Sequence, residues 1–300
     1  MPVLDFLPMQ PGSLPALVAA MQLREQACPG LKPDNAARWI WRGAVGARAP
    51  LAIVYLHGFT ASPGECADAP ERLAAALGAN AYVPRLPGHG LIADDALQGI
   101  TEDDWLGAAR EALAIGNALG ERVVLVGSSL GASLATLLAA DHADVVAAVV
   151  SWSLGVRPYD PAELDRLCAS DDIVRDPRPR SEAQLTYWSA GVHPDGFLAL
   201  RQLLATQMTP ATAARVGVPY LLACYHGSSP QQDRTASVAA MREFFDALAT
   251  PAEQRRFLAY SPGAHSIASP WRSAAAEAVL QDTISFVREY VPGAQDSVGA

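Results

Sequence analysis

The stretch Val123-Val124-Leu125-Val126-Gly127-Ser128-Ser129-Leu130-Gly131-Ala132-Ser133 decides how this chain folds. Four apolar residues run straight into Gly-x-Ser-x-Gly, and a small-residue helical pattern follows at once. A strand, a sharp turn and a helix in that order form a nucleophile elbow, with Ser129 at its tip. A side chain two residues either side of the serine would collide with neighbouring backbone, and Gly127 and Gly131 remove that conflict.

Outward from the elbow the chain alternates. The run Leu51-Ala52-Ile53-Val54-Tyr55-Leu56 lies between Pro50 and Gly58 and has the composition of a strand buried on both faces. Further strands are expected over 80–84, 122–126, 145–151, 220–225 and 256–260, with an edge strand over 38–42. Helices are expected over 70–77, 102–119, 130–141, 236–248 and 273–290, and upstream over 14–26. Alternating strands and helices predict an α/β fold, with a mostly parallel central sheet flanked by helices on both faces. The alternation breaks from 154 to 218, where Pro158, Pro161, Pro177, Pro179, Pro194 and Pro210 punctuate short helical pieces. So long a structureless loop is unusual inside a compact domain, so 154–218 reads as an inserted lid over the sheet's carboxyl edge. Its aromatics Tyr159, Tyr187, Trp188 and Phe197 are placed to line a pocket or to pack the lid on the core. They would serve a homodimer as easily. The whole chain, 1–300, reads as one domain carrying that insertion.

Composition narrows the function. Half of the 300 residues are hydrophobic, enough for a sizeable core. The net charge of −9 leaves no basic footprint for nucleic acid. Cys28, Cys66, Cys168 and Cys224 are scattered, without the spacing of a disulfide framework or a zinc site. Reduced thiols, no membrane-spanning run and no positive region before the first apolar patch point to a cytoplasmic protein. Neither metal nor cofactor is called for.

A serine hydroxyl is a poor nucleophile until a base takes its proton. Of six histidines, His57 and His89 sit in Gly-containing turns where imidazole braces a loop. His142 follows the helix after the elbow, on the wrong edge of the sheet, and His193 lies in the lid. His226 ends the 220–225 strand and is the runner-up. His265 follows the last strand in Ser261-Pro262-Gly263-Ala264-His265, where the order serine, acid, histidine puts the base. The acid that orients it belongs between them, after a strand. Asp233 has that position and also suits a helix cap; Asp160, Asp171, Asp172 and Asp176 compete from the lid. Negative charge on a tetrahedral intermediate needs N–H donors, expected from Leu130 and from Phe59 in the loop after 51–56. Thr60 and Glu65 are placed to touch substrate, though a position near the next helix's start explains Glu65 equally well. Few basic residues surround these motifs, which disfavours phosphorylated or CoA-linked substrates.

Taken together, Leu56-His57-Gly58-Phe59-Thr60, Arg85-Leu86-Pro87-Gly88-His89-Gly90, Gly127-Ser128-Ser129-Leu130-Gly131, the Asp233 helix start and the His265 loop resemble the α/β-hydrolase fold superfamily. The His-Gly-Phe-Thr form is similar to that of carboxylesterases and monoacylglycerol lipases. The longer stretch Val54–Glu65 with Met241-Arg242-Glu243-Phe244-Phe245 resembles a bacterial branch of unassigned substrate. The resemblance implies an eight-stranded sheet with an inserted cap, although only one strand is evident before Leu51, where the family has two. It also implies a cofactor-independent serine hydrolase acting on a small-molecule acyl ester. Amide, thioester or C–C cleavage by the same residues, and a non-catalytic ligand receptor on the same fold, stay open at this point.

Overall fold

The structure, a computed structural model, describes residues 13–228 and 230–294; the Pro-containing start at 1–12 lies outside them. Helix α1 (Ser13–Gln26) precedes a short strand β1 (Arg38–Ile40). Then come β2 (Ala49–Leu56), α2 (Ala69–Leu77), β3 (Asn80–Val83), α3 (Glu102–Leu119), β4 (Gly120–Ser128), α4 (Leu130–Asp141) and β5 (Val146–Trp152). The 154–218 stretch holds α5 (Pro161–Cys168), β6 (Val174–Arg175), α6 (Glu182–Tyr187), β7 (Gly191–Val192), α7 (Pro194–Gln207) and α8 (Pro210–Ala213). The chain returns through β8 (Tyr220–Tyr225), α9 (Val238–Asp246), β9 (Arg255–Tyr260) and α10 (Ala276–Tyr290).

Period-two alternation along the strands splits the core into two layers. Ala52, Val54, Leu56, Val123 and Leu125 face one layer, with α3 and α4 above them. Leu51, Ile53, Tyr55, Val124 and Val126 face the other, packed by α2 and α10. Burial on both faces explains why these strands read as continuous apolar runs. Their order is β1-β3-β2-β4-β5-β8-β9, parallel throughout except for β1, which runs antiparallel to β3. Because β3 lies on one side of β2 and β4 on the other, the chain reverses direction at β2. A crevice opens at the strands' carboxyl ends at such a switch point.

Among the described residues the sheet has seven strands, not the eight that the resemblance implies. Ahead of β1 the described chain is helical and then turns at Pro29-Gly30 and Pro33, so no further edge strand forms there. Helix α1 is instead tied down by Glu25. Its carboxylate accepts from Arg85 at 2.8 and 3.0 Å and from the Ala37 N–H at 3.1 Å. Arg85 also donates to the His89 carbonyl, so one buried ion pair joins α1 to the loop after β3.

Between β5 and β8, the Pro-punctuated stretch forms helices and a two-stranded antiparallel ribbon, β6–β7. Helix α5 packs on α7, which reaches back to α3 and α4. The stretch is latched to the loop after β2. Ser189 N–H donates to the Thr60 carbonyl at 2.8 Å, and the Phe197 ring meets Phe59 edge-on at 5.4 Å. Tyr187 stacks on Trp271, and Tyr159 stays exposed. Helix α9 starts at Val238, later than the sequence pattern suggests, because Ser237 caps it by accepting the Ala240 N–H.

Candidate active site

Ser129 stands between β4 and α4 with φ at 52°, a left-handed conformation that a non-glycine residue holds only when its surroundings impose it. Its N–H donates to the Trp152 carbonyl at 2.9 Å, which fastens the turn to β5. A Cβ on Gly127 would run into the Gly131 carbonyl, and one on Gly131 into the Leu56 carbonyl of β2. The two glycines therefore let α4 fold back over its own strand and lean on the next.

His265 brings Nε2 to 2.8 Å from Ser129 Oγ and Nδ1 to 2.6 Å from Asp233 Oδ2. Asp233 lies eight residues beyond the end of β8, too far on a direct count. The chain between turns back on itself: His226 bridges Gln232, and the Asp233 N–H donates to the Tyr225 carbonyl at 3.0 Å. That excursion returns Asp233 to the strand's end. Its two oxygens divide their work, Oδ1 accepting the Thr235 and Ala236 N–H groups while Oδ2 faces the imidazole. The carboxylate thus faces the imidazole and braces a turn at once; the N–H groups it accepts do not belong to α9, which Ser237 caps.

Burial alone would raise the Asp233 carboxyl and lower the His265 imidazole. The attraction between them and the hydrogen bonds they share outweigh it, so Asp233 is held below the usual carboxylate range and His265 above that of a free imidazole. The Glu65 carboxylate adds to the rise at His265, and Arg272 opposes it. Such an imidazole is a base whose proton affinity is strengthened, within hydrogen-bond reach of a serine hydroxyl.

Among the described residues no protein acceptor takes the N–H of Phe59 or of Leu130, and both residues border the same cavity as Ser129 and His265. The neighbouring Gly58 N–H is engaged: it donates to Glu65 Oε2 at 2.8 Å. The same oxygen accepts from the Tyr55 hydroxyl at 3.0 Å, and Oε1 accepts from Ser128 Oγ at 3.1 Å. Glu65 borders the cavity but is buried, and it lies four residues ahead of α2, so the helix start does not account for it. It ties β2, the loop after β2 and the elbow together. A signal was present in the sequence: Tyr55 sits in a strand buried on both faces, and a buried phenol needs a partner.

The other histidines stand apart from this chain of hydrogen bonds. His57 Nε2 accepts the Leu86 N–H at 3.1 Å and Nδ1 faces the Gly58 carbonyl, so the ring is neutral and braces two loops. Burial and the nearby His89 push it well below the usual imidazole range. His89 is buried against Phe59 and Trp105, and burial lowers it to about 4. His193 caps α7 by accepting the Asp195 N–H. His142 follows the far end of α4, and the exposed His226 engages Gln232 through backbone.

A cavity of about 720 Å³ opens over Ser129. Leu164, Trp188, Phe197 and Leu204, all buried, give it apolar walls, drawn from the 154–218 stretch. The expectation of few basic residues near the site is overturned here. Six arginines line the cavity, at 157, 175, 178, 180, 234 and 272. Arg234 directly follows Asp233 and Arg272 lies seven residues beyond His265, whereas the other four are distant from the motifs and reach the cavity because 154–218 folds over the sheet.

A model described as the alpha/beta hydrolase family matches residues 53–286. The thermostable monoacylglycerol lipase of Bacillus sp. (strain H-257) is 30% identical over 96 residues, 32% of this chain and 38% of that protein. The match therefore spans well under half of the relative's length. Among solved structures, one from a study of LipS and LipT, two metagenome-derived lipolytic enzymes, superposes with a TM-score of 0.71. It is 17% identical, with 86% of this chain and 99% of that one covered. The Paleococcus ferrophilus monoacylglycerol lipase gives 0.64 at 16% identity, covering 85% and 98%. A thermophilic esterase from Thermogutta terrifontis gives 0.58 at 18% identity, covering 85% and 93%. At these identities the structures attest to the fold alone. With the family match spanning most of the chain, and the sheet and elbow described above, the protein belongs to the alpha/beta hydrolase family.

Proposed function

We propose that this protein is a serine hydrolase that cleaves a carboxylic ester through an acyl-enzyme intermediate. Ser129 Oγ attacks the ester carbonyl while His265 Nε2 takes its proton, and Asp233 holds the ring and stabilises the imidazolium. The carbonyl oxygen becomes an oxyanion facing the N–H groups of Phe59 and Leu130. His265 then returns the proton to the leaving alcohol. Water repeats the sequence, releasing the acid and restoring the serine. The 154–218 stretch acts as a lid that shapes the acyl pocket, within one hydrolase domain over 1–300. The observation that carries this reading is the chain from Ser129 Oγ through His265 to Asp233, at 2.8 and 2.6 Å. The relatives named as lipases and esterases favour an ester over other acyl bonds.

Intact-mass labelling with a fluorophosphonate tests it. Wild type is expected to take up one adduct, lost in Ser129→Ala and in His265→Ala, and to hydrolyse short 4-nitrophenyl esters. No adduct on the folded wild type, or an adduct that persists in Ser129→Ala, overturns the reading.

A further inference from the structure

The chain as a whole is acidic, yet the cavity over Ser129 is bordered by six arginines. Among the described residues four carboxylates also border it, and all but Glu163 are already committed. Glu65 accepts its three hydrogen bonds, Asp160 caps α5, and Asp176 is clasped by Arg178. Arg157 and Arg175 turn to Glu243 and Asp94, which lie outside the wall. Among the described residues, Arg180, Arg234 and Arg272 have no carboxylate within ion-pair distance.

Two of these are held in place by uncharged partners. Arg180 donates to the Ser189 carbonyl at 2.6 Å, and the Arg272 guanidinium sits 5.4 Å from the centre of the Trp188 ring. Ser189 and Trp188 both border the cavity, so each guanidinium is fixed at its edge with other N–H groups to spare. Desolvation where the guanidinium meets the wall, and then the charges of Arg178 and Arg180, depress Arg272 against the opposing pull of Asp176 and Glu65, so the cations outweigh the carboxylates around it. The apolar wall residues are buried and Arg272 is exposed, so the positive charge marks the mouth and the apolar surface the depth. A guanidinium fork matches a carboxylate or phosphate with two parallel hydrogen bonds.

We propose that Arg180 and Arg272 form an oxyanion-binding subsite, so that the ester cleaved at Ser129 carries a second, negatively charged carboxylate or phosphate group. The proposal rests on the ester-hydrolase reading for the reaction, though not for the binding. The apolar wall receives the methylene chain between the ester and the anion. Cations at the mouth also draw such a substrate in against the chain's net negative charge.

Binding by the full-length Ser129→Ala variant, which cannot turn over, isolates the subsite. Calorimetry compares monomethyl adipate, the same methyl ester ending in phosphate, and uncharged methyl hexanoate. At least one anionic ligand is expected to bind about tenfold tighter than methyl hexanoate, with the advantage shrinking as salt rises. The tighter of the two names the anion. Adding Arg180→Gln or Arg272→Gln is expected to reduce the advantage several-fold, and the pair together to abolish it. Arg272→Glu is expected to reverse it, and Arg215→Gln, ion-paired elsewhere with Asp141, to leave it intact. Circular dichroism checks that each variant is folded. Equal binding of charged and uncharged esters, or an advantage that survives the double substitution, overturns the proposal. Failure of fluorophosphonate labelling on wild type would instead strike the hydrolase reading and leave this binding result standing.

Discussion

Glu65 Oε2 accepts the Gly58 N–H at 2.8 Å, which fixes the orientation of the His57–Gly58 peptide, one link before the peptide that carries the Phe59 N–H. Through Oε1 the same carboxylate holds Ser128, the residue before the elbow serine. One buried side chain thus sets the spacing between the two loops from which the proposed oxyanion donors come. Glu65→Gln keeps the volume but supplies only one acceptor oxygen for three donors. It is expected to lower kcat roughly 10–100-fold with little change in KM, since such donors act chiefly in the transition state. Because Glu65 also helps raise His265, the acidic limb of the pH profile should move to lower pH, which a purely structural role would not produce. Glu65→Ala leaves buried donors without an acceptor at about 1–3 kcal/mol each, and thermal unfolding should show the loss.

The Asp233–His265 pair sets a second expectation. Asp233 raises the imidazole's proton affinity, and in the proposed mechanism His265 must be neutral to accept the serine's proton. Activity should therefore fall as pH drops through that raised pKa, while higher pH leaves the base competent. Asp233→Asn removes the charge that does the raising, so burial is left to lower the ring. The acidic limb should shift to lower pH, and kcat at its plateau should fall by about 10⁴. Steady-state kinetics from pH 5 to 9 on a 4-nitrophenyl ester would display both.

A third concerns α1. Glu25 and Arg85 form a nearly buried pair, with side chains 9% and 11% exposed. Removing one partner strands the other, at a cost of about 3–5 kcal/mol. Glu25→Ala is expected to lower the unfolding temperature markedly. Glu25→Gln, which still accepts from Arg85 and the Ala37 N–H, should lose less.

The strands were legible because burial on both faces leaves an unbroken apolar run, and the elbow because its glycines answer a backbone collision. Asp233 was harder to read, since its distance from β8 along the chain conceals the back-turn that returns it to Tyr225. Glu25 and Arg85 carry no local pattern linking residues sixty apart, so the anchoring of α1 emerges only in three dimensions. The four cavity arginines of 154–218 are hidden from the sequence for the same reason. Nearness in sequence to a motif says little about nearness to a cavity when a long insertion folds back across it. The resemblance implies eight strands, and the described residues, which turn at Pro29-Gly30 and Pro33 ahead of β1, form seven.

The sheet order also bears on the chain's synthesis and failure. The neighbours β2, β4 and β5 can pair once the first half of the sequence is available, whereas Asp233 and His265 arrive with β8 and β9 at the opposite edge. On the proposed mechanism, a ribosome-bound fragment ending before residue 265 would hold a finished elbow and an inert serine. In the complete protein, fraying of the β8–β9 border would silence Ser129 while the rest of the sheet kept its amide protection. If the proposed mechanism holds, serine reactivity is a gauge of whether the last strands have docked, and loss of labelling is expected to precede loss of helical signal during gentle denaturation.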